Sequence, residues 1–126
     1  MSGRAAYSAL CLVVCDDDAD SRELLAEALR RCGHQVAIAA DGAAALAQIH
    51  AGINAVVLNL GLPDMTGFEV AREVRRCPAL CGIRLIAVTG FSGEAYRAAA
   101  FESGFDEHLV KPVPVATLLD ALYGGA

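Results

Sequence analysis

A chain of 126 residues is the size of one domain and can bury a core without disulfide or metal staples. Its formal net charge of −5 argues against a nucleic-acid-binding surface, which needs clustered Lys and Arg to neutralise phosphates. No apolar run approaches the roughly 20 residues of a membrane-spanning helix, and Met1 to Ala9 has one Arg and no h-region of signal-peptide length, so the expectation is a soluble, cytoplasmic protein with a tail over residues 1–9 and one domain over 10–126.

Leu10 to Cys15 is a continuous apolar run, the pattern of a strand covered on both faces, and it ends abruptly in Asp16-Asp17-Asp18. Asp18 or Asp20 can cap the helix that follows, in which Leu24, Leu25, Ala28 and Leu29 recur up to the stop signal Gly33. One cap does not account for three acids. His34 to Ala40 alternates around Val36 and Ile38 as a second strand, and Asp41-Gly42 turns into an alanine-rich helix over Ala43 to His50.

The chain is organised around Val56 to Gly67. The run Ala55 to Leu58 predicts a buried strand with Asn59 at its carboxyl end, and Gly61, Pro63 and Gly67 then force a loop over the sheet's edge. In open α/β sheets that rim is where ligands bind. Phe68, Val70, Ala71 and Val74 mark a helix ending before Pro78. Arg84 to Thr89 is a fourth strand, Glu94 to Ser103 a helix closed by Gly104, and Glu107 to Val110 a short strand leading to Lys111-Pro112. Pro114 can occupy the first turn of a last helix carrying Val115, Leu118, Leu119 and Leu122, ended by Gly124-Gly125.

Strands alternating with helices five times predict an α/β fold with a doubly wound parallel sheet and right-handed crossovers. The strand ends then bring Asp16, Asp17, Asn59, Thr89 and Lys111 to one rim. Two carboxylates with a loop carbonyl such as that of Gly61 suit a hard cation such as Mg²⁺, and a Lys beside a Thr hydroxyl can hold an anion's oxygens. Of the five cysteines, Cys11 and Cys15 fall in a buried strand; Cys77 and Cys81 flank Pro78 with no second pair or nearby His to complete a zinc set.

These residues together resemble the receiver domain of two-component response regulators over Leu10 to about Leu122. The acidic pair, the Gly-Leu-Pro-Asp-Met-Thr-Gly loop and the Lys-Pro are matched, and Thr89 and Lys111 follow Asn59 by thirty and fifty-two residues. The resemblance implies a flavodoxin-like (βα)5 fold with strand order 2-1-3-4-5. It implies Mg²⁺ held by Asp16, Asp17, the Gly61 carbonyl and position 59. Lys111 would contact the phosphoryl group, Thr89 would be the switch hydroxyl, and a histidine kinase or phosphotransfer protein would be the partner. His108 falls where the family usually has a Tyr or Phe that swings inward on activation. The helix Glu94 to Ser103, the fifth strand and the last helix form the surface many receivers use for output or self-association.

Asn59 is the departure, standing where the family has its phosphoacceptor aspartate. An amide carries no charge and its nitrogen lone pair is delocalised, so Asn59 is not expected to attack phosphorus, and Mg²⁺ should bind more weakly. The expectation is a non-enzymatic, degenerate receiver, whether natural or made by an Asp-to-Asn change, and whether stand-alone or a domain of a hybrid histidine kinase acting as a phosphorylation-independent binding module. A flavodoxin-like phosphatase or cofactor carrier is the competing class. Asp16 and Asp18 have a phosphatase-like spacing, but no phosphate-binding Ser/Thr/Gly-rich loop for a flavin follows the first strand.

Overall fold

The computed structural model describes residues 8–90 and 92–124; residues 1–7 of the expected tail and Gly125 of the expected helix stop lie outside them. Strands β1 (Cys11–Cys15), β2 (Gln35–Ala39), β3 (Ala55–Leu58), β4 (Arg84–Thr89) and β5 (Glu107–Val110) alternate with helices α1 (Ala19–Arg31), α2 (Gly42–Gln48), α3 (Gly67–Arg76), α4 (Glu94–Ser103) and α5 (Val115–Leu122). Every strand pairing is parallel and the order is β2-β1-β3-β4-β5, the doubly wound arrangement expected.

The uninterrupted apolar runs exist because the central strands are covered on both sides. Val13, Cys15, Val56, Leu58, Leu85 and Ala87 face a core completed by Ala45 of α2, Val70 and Val74 of α3 and Ala100 of α4. Their neighbours Leu12, Val14, Ala55, Val57, Ile86 and Val88 face a second core with Leu29 of α1 and Leu118, Ala121 and Leu122 of α5. Strand side chains alternate between faces, so a strand buried on both shows no polar alternation.

Helices α1, α2 and α3 start at side-chain caps. Asp18, rather than Asp20, caps α1 by accepting from the Ser21 N–H at 3.0 Å, and Thr66 with Glu69 forms a capping box on α3. Helix α2 begins at Gly42 and stops at Gln48, short of His50. Its first N–H groups are taken by two carboxylates, Asp41 accepting from Ala44 and Asp64 from Gly42 and Ala43. Pro114 is the N-cap of α5 rather than a member of its first turn. Leu24 departs from the expected stripe: α1 buries Ala26 and Leu29, and Leu24 is 77% exposed, because one residue along a helix turns about 100° away from the buried line.

At the end of the sheet opposite the rim, Arg75 of α3 joins three elements. Its Nε donates to the Gly104 carbonyl at 2.9 Å, Nη1 to the Ile83 carbonyl at 2.7 Å, and Nη2 pairs with Asp106 Oδ2 at 2.9 Å. The same carboxylate oxygen accepts from the Leu85 N–H at 2.8 Å. Gly104, at φ 115°, ends α4 directly under the arginine, and a Cβ there would lie 2.5 Å from Arg75 Cγ.

His34, buried at the same end, accepts from the Leu10 N–H through Nδ1 at 3.0 Å, so that nitrogen must be unprotonated. Burial lowers its pKa from 6.5. A depressed basic pKa favours the neutral form in the folded chain, so this contribution to stability is full above the unfolded value near 6.5 and is lost as pH falls through the folded value. We expect the melting temperature to fall between pH 7.5 and 5, with a shallower fall in His34→Asn, which supplies a non-titrating acceptor; equal slopes would contradict the assignment. His108, also lowered by burial, titrates in the same direction in both proteins.

Candidate functional site

The rim residues are fixed by the ladder running one residue past each strand. The Asp16 N–H donates to the Ala39 carbonyl at 3.1 Å, Asn59 N–H to Cys15 at 3.0 Å and Lys111 N–H to Thr89 at 2.8 Å. The Lys111–Pro112 bond is cis. Asp16, Asn59 and Lys111 continue the alternation of Val14, Val57 and Leu109 and so belong to the α1/α5 side, where all three line one cavity.

Asp16 is 6% exposed and its carboxylate is fully engaged: Oδ2 pairs with Lys111 Nζ at 2.9 Å and Oδ1 accepts from the Asp18 N–H at 3.0 Å. Arg22 donates to its carbonyl at 2.8 Å. Asp17 is exposed at the edge. The centre of the group is Asn59 Nδ2, which donates to Asp17 Oδ1 at 3.2 Å and to the Gly61 carbonyl at 3.0 Å. Two oxygens from different loops thus converge on one amide nitrogen.

The loop that carries Gly61 is closed on itself. Gly61 bridges Thr66, the Gly67 N–H donates to the Leu60 carbonyl at 2.8 Å, and Asp64 reaches across to the start of α2. Position 67 must lack a side chain, because a Cβ would lie 2.7 Å from the Asn59 carbonyl oxygen. The two backbone bonds to α2 hold the Asp64 carboxyl below its usual pKa. Sequence reasoning missed Asp64 and Arg22; Asp64 stood in the quoted loop, but nothing local revealed that its partner lay twenty-two residues upstream.

Thr89 and His108 fall on the other side of the sheet from Asn59. Thr89 continues the alternation of Leu85 and Ala87 and is fully buried, and His108 pairs in register with Ala87. The His108 ring is half-buried, with Nε2 buried and without a hydrogen-bond partner among the described residues. Burial and the nearby Arg97 of α4 lower its pKa, while Glu94 raises it. By alternation Thr89 and His108 thus start from the α4 side of the sheet, and Asp16, Asn59 and Lys111 from the α1/α5 side.

For a hard cation the available donors are the Asp16 and Asp17 carboxylates, the Gly61 carbonyl and Asn59 once its amide turns Oδ1 toward them. Among the described residues no three His, Cys, Asp or Glu side chains are gathered for a metal. The oxygen set fits Mg²⁺, which commonly binds through one or two carboxylates and keeps several waters. Cys15 is inert: its buried thiol donates to the Asp41 carbonyl at 3.4 Å, and burial first, then Asp16, pushes its pKa up to about 12. Cys77 is half-buried and Cys81 exposed, on either side of a 3-10 turn over Pro78–Leu80.

A family model described as the response regulator receiver domain matches residues 12–123. An uncharacterized 14.6 kDa protein of Leptolyngbya boryana is 35% identical over 109 residues, covering 86% of this chain and 83% of that one. The transcriptional regulatory protein GltR of Pseudomonas aeruginosa is 36% identical over 111 residues, and the chain spans 45% of its length. The chemotaxis response regulator CheY4 of Vibrio cholerae superposes with a TM-score of 0.82 at 27% identity, over 91% of this chain and 97% of that one.

Proposed function

The chain belongs to the response regulator receiver domain family, and we propose that it is a degenerate member, able to bind its partners but unable to accept a phosphoryl group at residue 59. The observation that carries this reading is Asn59 Nδ2 donating to both Asp17 and Gly61. The side chain presents a hydrogen-bond donor to the oxygens that would hold a cation, and it has no carboxylate to attack phosphorus. Intact mass after incubation with a small-molecule phosphodonor and Mg²⁺ tests this; full Mg²⁺-dependent phosphorylation of the chain would overturn it.

Mg²⁺ would neutralise charge on a phosphoryl group bound there. Asp16, Asp17 and the Gly61 carbonyl would hold it, while Lys111, beside Asp16, would face the phosphoryl oxygens. To join the metal's ligands Asn59 must give up both Nδ2 bonds and bring an uncharged oxygen, so we expect weak Mg²⁺ binding, further reduced in Asp17→Ala. Isothermal titration that found equal affinities for the two chains would show that the site is elsewhere.

The same bonds set the sign of a stability change. In metal-free buffer Asn59→Asp removes the two donor contacts and adds a carboxylate beside Asp17, costing on the order of 1 kcal/mol, and Mg²⁺ should narrow the gap. A higher metal-free melting temperature for the variant would contradict this.

Receiver domains interact with histidine kinases or phosphotransfer proteins, and for output or self-association we assign α4, β5 and α5 here. Tyr96, Phe101, Val110 and Val115, four of the five large exposed hydrophobic residues among those described, lie there. The Arg97 guanidinium stands 4.9 Å from the Phe101 ring centre.

A further inference from the structure

Leu24, 77% exposed, is the most exposed of the large hydrophobic residues left uncovered among those described, and the one that lies on α1. Beside it the surface opens into a largely apolar groove between α1 and α5, lined by Leu25 and Ala28 of α1, by Val113, and by Val115 and Leu118 of α5. A projecting side chain and a recess thus share one patch. That is what a two-fold contact requires, since each copy must present both. We propose that this face is an interface with a second copy of the chain, the two α1 helices lying antiparallel across a two-fold axis. Each Leu24 then seats over Ala28 of the other copy, at the lip of its groove.

The charges on α1 choose the occupant and its orientation. A helix turns about 100° per residue, so Asp20, Glu27 and Arg31 fall to one flank of Leu24, while Ser21, Leu25 and Ala28 fall to the flank that lines the groove. When residue 24 of one helix faces residue 28 of an antiparallel copy, Asp20 comes beside Arg31 of that copy, and the same pair forms again by symmetry. Arg31 can serve both carboxylates: its Nη2 pairs with Glu27 of its own helix at 2.9 Å, which leaves Nε and Nη1 for a second one. Asp20 is in no ion pair among the described residues. A parallel pair would set Asp20 against Asp20 and Arg31 against Arg31, with the helix dipoles aligned unfavourably. A partner of other chemistry would have to match this acid-to-base order; a second copy matches it by construction. The contact is small, so the association is weak.

Sedimentation equilibrium of the full chain tests this in metal-free buffer without a phosphodonor, so its outcome is independent of the reading of residue 59. We expect the average mass to rise from one chain toward two between about 10 µM and about 1 mM. Leu24→Asp, at an exposed position that can take a charge without entering the core, should weaken the association by more than about tenfold. Asp20→Arg and Arg31→Asp should each sediment as monomers when alone. An equimolar mixture of the two should regain the association of the unaltered chain, because each then supplies the charge the other needs at both symmetric contacts. Thermal melting checks that all three variants are folded. A chain monomeric across the whole range, a mixture no more associated than its components, or a dimer that survives Leu24→Asp and is lost in Phe101→Asp on α4 would overturn the proposal.

Discussion

Asn59→Asp should turn an inert chain into one that takes up about one phosphoryl group per molecule from a small-molecule donor in the presence of Mg²⁺. The neighbours proposed to serve the reaction already stand around residue 59. Asp16 and Lys111 are already paired at 2.9 Å, the Asn59 N–H is tied to the Cys15 carbonyl at 3.0 Å, and the Gly61 loop is latched by Asp64. The new carboxylate would stand on an unchanged backbone, and its charge would restore the third anionic ligand for the metal. The product should be an acyl phosphate, cleaved by hydroxylamine, lost in the Asn59→Asp/Lys111→Ala double variant and mapped to residue 59 rather than to Asp16, Asp17 or Asp18. A variant that remained unmodified would show that more of the site has drifted than one side chain. His108 would then be the first position to exchange, for Tyr.

Arg75→Ala should be strongly destabilising for a change at a polar residue, by about 3 kcal/mol in urea unfolding. The loss leaves the Gly104 and Ile83 carbonyls without their guanidinium donors and removes the ion-pair partner of the half-buried Asp106 carboxylate, which keeps only the Leu85 N–H. No water-exposed rearrangement replaces three directions of donation at once, since α3, β4 and α4 meet at this point. Arg75→Lys should recover less than half, because an ammonium cannot reproduce the planar fork. A loss below about 1 kcal/mol for the alanine variant would mean that the network behaves like an exposed ion pair.

Much of this architecture was legible in the residues alone. The apolar runs Ala55–Leu58 and Arg84–Thr89 marked strands with the observed bounds, because burial on both faces leaves a continuous signature. Helix ends were less legible where the cap came from afar. Helix α2 starts at Gly42, where the adjacent Asp41 caps it and Asp64, distant in sequence, takes two further N–H groups. The exposed Leu24 was misplaced because Leu24 and Leu25 both look apolar and only packing decides which of two adjacent residues turns inward. At the site, the apolar runs led to the strand ends, while the side of the sheet from which each end residue starts depends on counting alternation through each strand to its last residue. Arg75 was read only as part of a helix; its partners are brought to it by the fold.

That division has a consequence for how such a module can change over generations. Asp16, Asn59 and Lys111 meet on one side of the sheet, while Thr89 and His108 lie on the other with α4. On the reading proposed above, the place where a message would be written and the α4 surface where it would be read are largely different territories, with Val115 bordering both. On that reading a single base change at codon 59 would erase the writing, since none of the side-chain hydrogen bonds of Asn59 reaches α4. The surface around α4 then remains under its own selection, free to keep an old partner or acquire a new one, and reversal needs only the same codon.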